Sequence, residues 1–288
     1  MSRRSYSAPR SGPRFRVLAL AFVASLVVAS TAIAHDFWLI PDVFGFADKA
    51  TVQVNGRSGL KFPEGSAVQP ARVADARIIG ATSETKITEM MVEGTSLRLR
   101  QKPAAAGQYL IVAALLPRTT RSAPAGLIRY LQLEGGAAEA ARLERERTFA
   151  GVDSVVYTAA SYAETIVQLG TGGPRAFTKT AGFPLEFVAL NDPGHLHLGD
   201  TLHIRVLGGG KPAPNTGVDA TPAVDTTAGA PANLAVTLQA DANGVLHLPL
   251  TKVGPWMLRS AFVNRHVGGA ANEFDVSRTA YVFTVGSK

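Results

Sequence analysis

Leu97-Arg98-Leu99-Arg100 alternates apolar and charged residues without a break. A strand with one face buried and one face wet needs that pattern, because successive side chains point to opposite sides. Short segments of the same kind recur along the chain. Thr51–Val54 alternates and stops at the turn dipeptide Asn55-Gly56. Arg77–Ile79 and Gln108–Val112 continue the series, with Pro103 and Gly107 punctuating the gap before the latter. Beyond residue 180 the segments are Leu185–Leu190, Thr201–Leu207, Ala235–Leu238, Val245–Leu250, Trp256–Val263 and Ala280–Val285. Their spacing predicts a β-sandwich.

One stretch breaks the pattern. Residues 125–150 carry Leu127, Ile128, Leu131 and Leu133, then alternating Glu and Arg from Ala137 to Arg147, which predicts a short helical insertion with its charged face in water. Tyr157–Leu169 fits helix or strand. Gly170-Thr-Gly-Gly-Pro174 reads as an interdomain linker, and Ala220–Pro231 as a flexible loop. The expected fold class is therefore mainly β. A β-rich domain at 35–175 carries the helical segment, and an immunoglobulin-like β-sandwich follows at 180–288.

Residues 1–34 read as a secretory signal peptide. Arg3, Arg4, Arg10, Arg14 and Arg16 precede an apolar run from Val17 to about Ala29, and the small-x-small site Ala32-Ile33-Ala34 follows. The run is short for a membrane span. Cleavage after Ala34 would make His35 the first residue and place the protein in the periplasm. The alternative is an uncleaved N-terminal anchor, the one route by which this chain would contact a membrane. Ser2-Arg3-Arg4 is a poor match to a twin-arginine export signal.

The formal charge of +7 belongs mostly to that leader. Five arginines and no carboxylates lie within residues 1–34, which leaves +2 for the rest. So balanced a chain gives no electrostatic footprint for nucleic acid. With no cysteine, disulfides, thiolate metal sites and cysteine nucleophiles are excluded, and a bound metal must use nitrogen and oxygen ligands. Gly-x-Ser-x-Gly, His-Glu-x-x-His and phosphate-binding glycine loops are absent. The sequence reads as non-catalytic.

Several landmarks then form a recognisable order: His35-Asp36-Phe37-Trp38-Leu39, Arg129-Tyr-Leu-Gln-Leu-Glu-Gly135, and Gly182-Phe-Pro-Leu-Glu-Phe-Val-Ala-Leu-Asn-Asp-Pro193. Leu198–Leu202, Gly210-Lys-Pro212, Asp241–Gly244 and Gly254-Pro-Trp256 complete the series. In these the chain resembles the DUF4198 family of exported proteins, often described as periplasmic components of nickel or cobalt uptake systems. The sequence departs from the family pattern at Phe274–Thr279, where relatives carry a tryptophan. The resemblance implies a periplasmic metal-handling role.

Six histidines are the candidate ligands. His35, if terminal, offers an α-amine and an imidazole on one residue, and both nitrogens suit nickel, cobalt or copper. Asp36 would supply an oxygen or merely balance the amine, and Phe37 and Trp38 would anchor the chelating end. His195 and His197 sit at i and i+2 in Gly194-His-Leu-His-Leu-Gly199, a spacing that chelates one ion if the segment is extended. The competing reading puts both on an exposed face with Leu196 and Leu198 in the core. His203 and His247 alternate with apolar neighbours and read as exposed strand histidines. His266 lies on the glycine-bounded loop Asn264–Gly269, where a binding role is open.

These observations predict a periplasmic protein that binds a divalent transition metal for uptake or delivery, with a membrane transporter as possible partner. The alternative is an interaction module docking to such a transporter, its histidines incidental. An oxidative copper enzyme is the third and weakest reading.

Overall fold

A computed structural model describes residues 35–223 and 235–287. The signal-peptide reading and most of the expected 220–231 loop lie outside the described residues. The chain runs through β1 (Asp36–Pro41), β2 (Gly45–Phe46), β3 (Val52–Lys61), β4 (Glu64–Ala67), β5 (Val73–Ile79), β6 (Glu84–Lys86), β7 (Glu89–Glu93), β8 (Ser96–Gln101), β9 (Gly107–Leu115) and β10 (Arg118–Ser122). Helices α1 (Pro124–Leu133) and α2 (Ala137–Arg145) follow. The rest is strand: β11 (Val155–Leu169), β12 (Leu185–Ala189), β13 (Thr201–Gly208), β14 (Lys211–Pro212), β15 (Gly217–Pro222), β16 (Val236–Gln239), β17 (Val245–Pro249), β18 (Gly254–Arg265) and β19 (Glu273–Val285). The fold is mainly β with a helical insertion, as the periodicity predicts.

Three sheets form. The first has the order β1-β3-β8-β7, with β4 also on β3. The second and largest runs β16-β15-β18-β19-β11-β9-β5-β6, with β10 and β2 also on β11. The third is β12-β13-β14, with β17 also on β13. The large sheet lies between the other two, and β9 shows why its sequence can be so apolar. Tyr109, Ile111 and Ala113 pack with Phe37, Leu39, Val54, Leu97 and Leu99 of the first sheet. Leu110, Val112 and Ala114 join the core built with Phe187, Ile204 and Leu248 of the third. A strand covered on both faces needs no alternation.

The immunoglobulin-like sandwich consists of the third sheet facing the β15-β18-β19 part of the large one, around Trp256, Leu258, Phe283 and Val206. Its boundary differs from the expected one. Strand β19 pairs in parallel with β11 from Val156↔Glu273 to Thr165↔Val282. One sheet therefore crosses the predicted division near 175–180, and the described chain is a single compact unit. Parallel pairing needs a long crossover, so two segments a hundred residues apart in sequence become neighbours. Tyr157–Leu169 is strand. Gly170-Thr-Gly-Gly-Pro174 is not a linker between separate sheets, since it packs back on β9 through Gln108 N to Pro174 O (2.9 Å). The expected loop also starts late, because Ala220–Pro222 still belong to β15.

The helices span 124–145, close to the expected 125–150. Pro124 occupies the first turn of α1, where its missing N–H leaves no hydrogen bond unmade. Leu127, Leu131 and Leu143 are buried against Val155, Val263 and Val276. Among the described residues no helix is long and apolar enough to cross a membrane.

Candidate metal centre

Alternation along β18 and β19 sets the environment at the start of β1. On one face of the large sheet, Met257, Ala280 and Val282 pack with Trp38 and Ile40. Further along the same face, Ala261, Val263, Phe274 and Val276 are covered by the helices. Arg259 and Arg278 fall in the seam between these patches, on the same parity of their strands.

The seam is plugged by charge. Asp36 pairs with Arg259, and Arg259 Nη2 lies 3.6 Å from Asp219 Oδ2. Arg278 Nη1 donates to Glu134 Oε2 at 2.5 Å, and its Nη2 to Ser161 Oγ at 2.5 Å. The Tyr130 ring sits 5.1 Å from the Arg278 guanidinium. Burial pushes Glu134 up, to about 8; the Arg278 guanidinium pulls it down and Asp36 adds to the rise. Gly135 has φ +73°, and a Cβ there would come 2.7 Å from the Arg259 side chain, so glycine lets the turn after Glu134 close over the arginine.

His35 enters at this seam. Its carbonyl accepts the Ser58 hydroxyl at 3.3 Å. Its Nδ1 is buried and has no hydrogen-bond partner among the described residues, which is unusual for a buried polar atom. All six residues of β1 are buried, and pairing holds them from Asp36↔Gly59 to Pro41↔Val54. Phe37 and Trp38 anchor the strand as expected, on opposite faces. Asp36 turns away from a ligand role, because its carboxylate is taken by Arg259.

The Gly194–Gly199 segment is not the extended chelator its spacing suggested. Pro193–His195 forms a single 3-10 turn, which Asp192 caps by accepting the Gly194 N–H (2.9 Å). His195 Nδ1 lies 3.0 Å from Asp192 Oδ2, and its Nε2 lies 3.4 Å from Arg175. His197 Nδ1 is 3.8 Å from Asp200. Leu196 is buried while Leu198 is exposed, so only one of the two leucines fills the core.

These imidazoles are also far from His35. His197 bridges to Gly286, whereas Asp36 meets Arg259, whose strand partner is Ala280. Six residues of extended chain put them about 20 Å apart along the strand. His266 sits near the tip of the β18–β19 hairpin, its Nδ1 2.9 and 3.1 Å from the Asp275 oxygens, and that hydrogen bond raises its pKa. Among the described residues no group of three or more His, Asp or Glu gathers in a metal-holding arrangement.

Two histidines read from sequence as incidental do meet. His203 and His247 are direct cross-strand partners on β13 and β17. Their Nδ1 atoms are 2.6 Å apart and the rings meet edge to face, with centroids 4.8 Å apart. Each flanking pattern showed an outward-facing histidine, but only strand pairing could put the two side by side. The seam residues were missed for a similar reason. Tyr130, Glu134 and Gly135 belong to a motif noted in the sequence, yet their partners Arg259 and Arg278 lie more than a hundred residues away.

Among the described residues, no closed protein cage surrounds the His35 Nδ1.

Comparison with known families gives a match to "Domain of unknown function (DUF4198)" over residues 32–263. No curated protein matches the chain. Among solved structures, the D0-D1 domain of intimin is similar at 13% identity and a TM-score of 0.19, covering 87% of this chain and 99% of that one. Escherichia coli alpha-2-macroglobulin activated by porcine elastase is 11% identical with a TM-score of 0.22, and covers 88% of this chain and 20% of that one. FdeC, an Escherichia coli adhesin, is 11% identical with a TM-score of 0.23, covering 88% of this chain and 65% of that one.

Proposed function

We propose that this chain, which belongs to the DUF4198 family, is a non-catalytic periplasmic protein that binds a divalent transition metal ion through His35. Nickel, cobalt and copper are the candidate ions. One observation carries the reading: the His35 Nδ1 is buried, without a partner among the described residues, at the mouth of a fully buried strand. Removal of residues 1–34 frees an α-amine on that same residue, and amine and Nδ1 close one chelate ring around an ion. The pairing of β1 with β3 and the Asp36–Arg259 ion pair hold the chelating residue still, so little ordering entropy is lost on binding. The ion's remaining positions stay open to water or to an incoming ligand. An open site of this kind suits delivery to a membrane transporter, the partner this reading implies.

The test compares a chain beginning at His35 with the same chain acetylated at its α-amine. Titration with copper(II), nickel(II) and cobalt(II) is expected to give a site whose affinity falls roughly a hundredfold in the acetylated form, since the chelate is lost. Equal affinity in the two forms overturns the reading.

A further inference from the structure

The large-sheet seam accounts for one end of the molecule. The third sheet, on the opposite side, carries a separate feature. His203 of β13 and His247 of β17 face each other in register on its outer surface, Nδ1 to Nδ1 at 2.6 Å. Neutral imidazoles can make that contact only with opposite tautomers, one donating and one accepting. A late transition ion needs no such matching, because it takes the lone pair of each nitrogen at about 2.0–2.1 Å. Moving from the observed contact to such a bridge requires the nitrogens to part by only a fraction of an ångström. His203 is half-buried and His247 exposed, so side-chain rotation supplies it.

The backbone on both sides is fixed. Ile204↔Leu246 and Leu202↔Leu248 flank the pair, and all four side chains are buried in the sandwich core. The Asn191 side chain accepts the His203 N–H at 2.8 Å and donates to Thr201 O at 3.0 Å. Two imidazoles on so rigid a frame lose little freedom on chelation. Two further charges bear on an ion there. Arg205 shares the outward parity of β13 and opposes it. Asp241, just before β17, offsets that charge; its carboxylate accepts the Asn243 and Val245 N–H groups and interacts electrostatically with both His247 and Arg205.

We propose that His203 and His247 form a second, two-imidazole site for a divalent late transition ion on the outer face of the sandwich, independent of the chain terminus. Copper(II) binds it more tightly than nickel(II), and nickel(II) more tightly than cobalt(II). The site does not rest on cleavage after Ala34, and its success or failure is separable from that of the His35 site.

The experiment is a copper(II) and nickel(II) titration followed by imidazole proton NMR and by calorimetry. It uses the chain beginning at residue 35 with His35→Ala, so that the terminal chelate is disabled. Copper(II) at substoichiometric levels is expected to broaden the His203 and His247 resonances first, with His195, His197 and His266 unaffected. His203→Ala or His247→Ala alone is expected to weaken this site roughly a hundredfold, because either change destroys the chelate. The double variant should add nothing further. Uniform broadening of all imidazoles overturns the proposal, as does affinity unchanged in both single variants. Circular dichroism of each variant confirms the fold; should alanine disturb it, His203→Gln and His247→Gln serve in its place.

Discussion

The large sheet buries a carboxyl group on each face and treats the two differently. On the face toward β1 and the helices, Glu134 meets Arg278 at 2.5 Å, beside Ser161 and Tyr130. On the face toward the third sheet, Glu164 is fully buried and neither oxygen makes a hydrogen bond of good geometry among the described residues. Burial first, and then the nearby Glu186, push Glu164 well above the carboxylate range; the Phe187 backbone and the Thr279 side chain pull the other way without offsetting it. Glu186 is itself relieved by the Ala181 and Gly182 N–H groups. A buried carboxyl can be kept by pairing it or by keeping its proton. Glu134 is raised by burial but drawn back by the Arg278 counter-charge, whereas no cation draws Glu164 back and it keeps its proton.

The contrast is most exposed to a change at Arg278. Arg278→Ala removes the group that draws the Glu134 pKa down, so the buried carboxyl keeps its proton but loses its hydrogen-bond partner, at an expected cost of about 1–3 kcal/mol in urea unfolding. A loss well below that range would mean that Glu134 is as self-sufficient as Glu164, and the two faces would not differ.

The pH dependence comes next. Glu134 and Glu164 both have folded pKa values raised above the unfolded carboxylate value. Each therefore contributes stability that is complete below about 4.5 and lost as pH rises, for Glu134 through about 8. Thermal unfolding between pH 5 and pH 9 should show a falling Tm, and Glu134→Gln should flatten part of that fall. An unchanged slope in the variant would assign the titration to Glu164 alone.

Glu164→Gln should be mild, within about 1 kcal/mol of the parent, because a group already neutral exchanges one uncharged polar head for another. Strong destabilisation there would show that Glu164 is ionised and has a counter-charge after all. The smallest effect belongs to the surface. Glu146→Ala removes an exposed (i, i+4) partner of Arg142 at 2.6 Å and should cost only about 0.3–0.5 kcal/mol, which sets the scale against which the buried pair is judged.

How much of this was legible depends on how far apart the partners lie. The strands around Leu97–Arg100 and Trp256–Val263, and the helices near 125–150, follow from local periodicity and turn residues. Tyr157–Leu169 was ambiguous because β11 has neighbours on both faces, so its apolar residues do not keep to one side. The His-x-His reading failed at Pro193, where a 3-10 turn capped by Asp192 replaced an extended segment. His203 and His247 were each read correctly as outward-facing, but their meeting was invisible to either segment alone.

The sequence by itself determined the class of the fold, the position of the helical insertion, the exclusion of thiolate chemistry and the anchoring role of Phe37 and Trp38. All of these rest on residue types and short periods, which local sterics and burial dictate. Tertiary structure alone decided that one sheet spans the expected domain boundary, that Asp36 belongs to Arg259, and that His203 faces His247 while His35 stands apart from the other histidines. Those are pairings between segments remote in sequence. Their register is set by which strand lies next to which, and the burial of whole faces fixes that only once the chain has closed on itself.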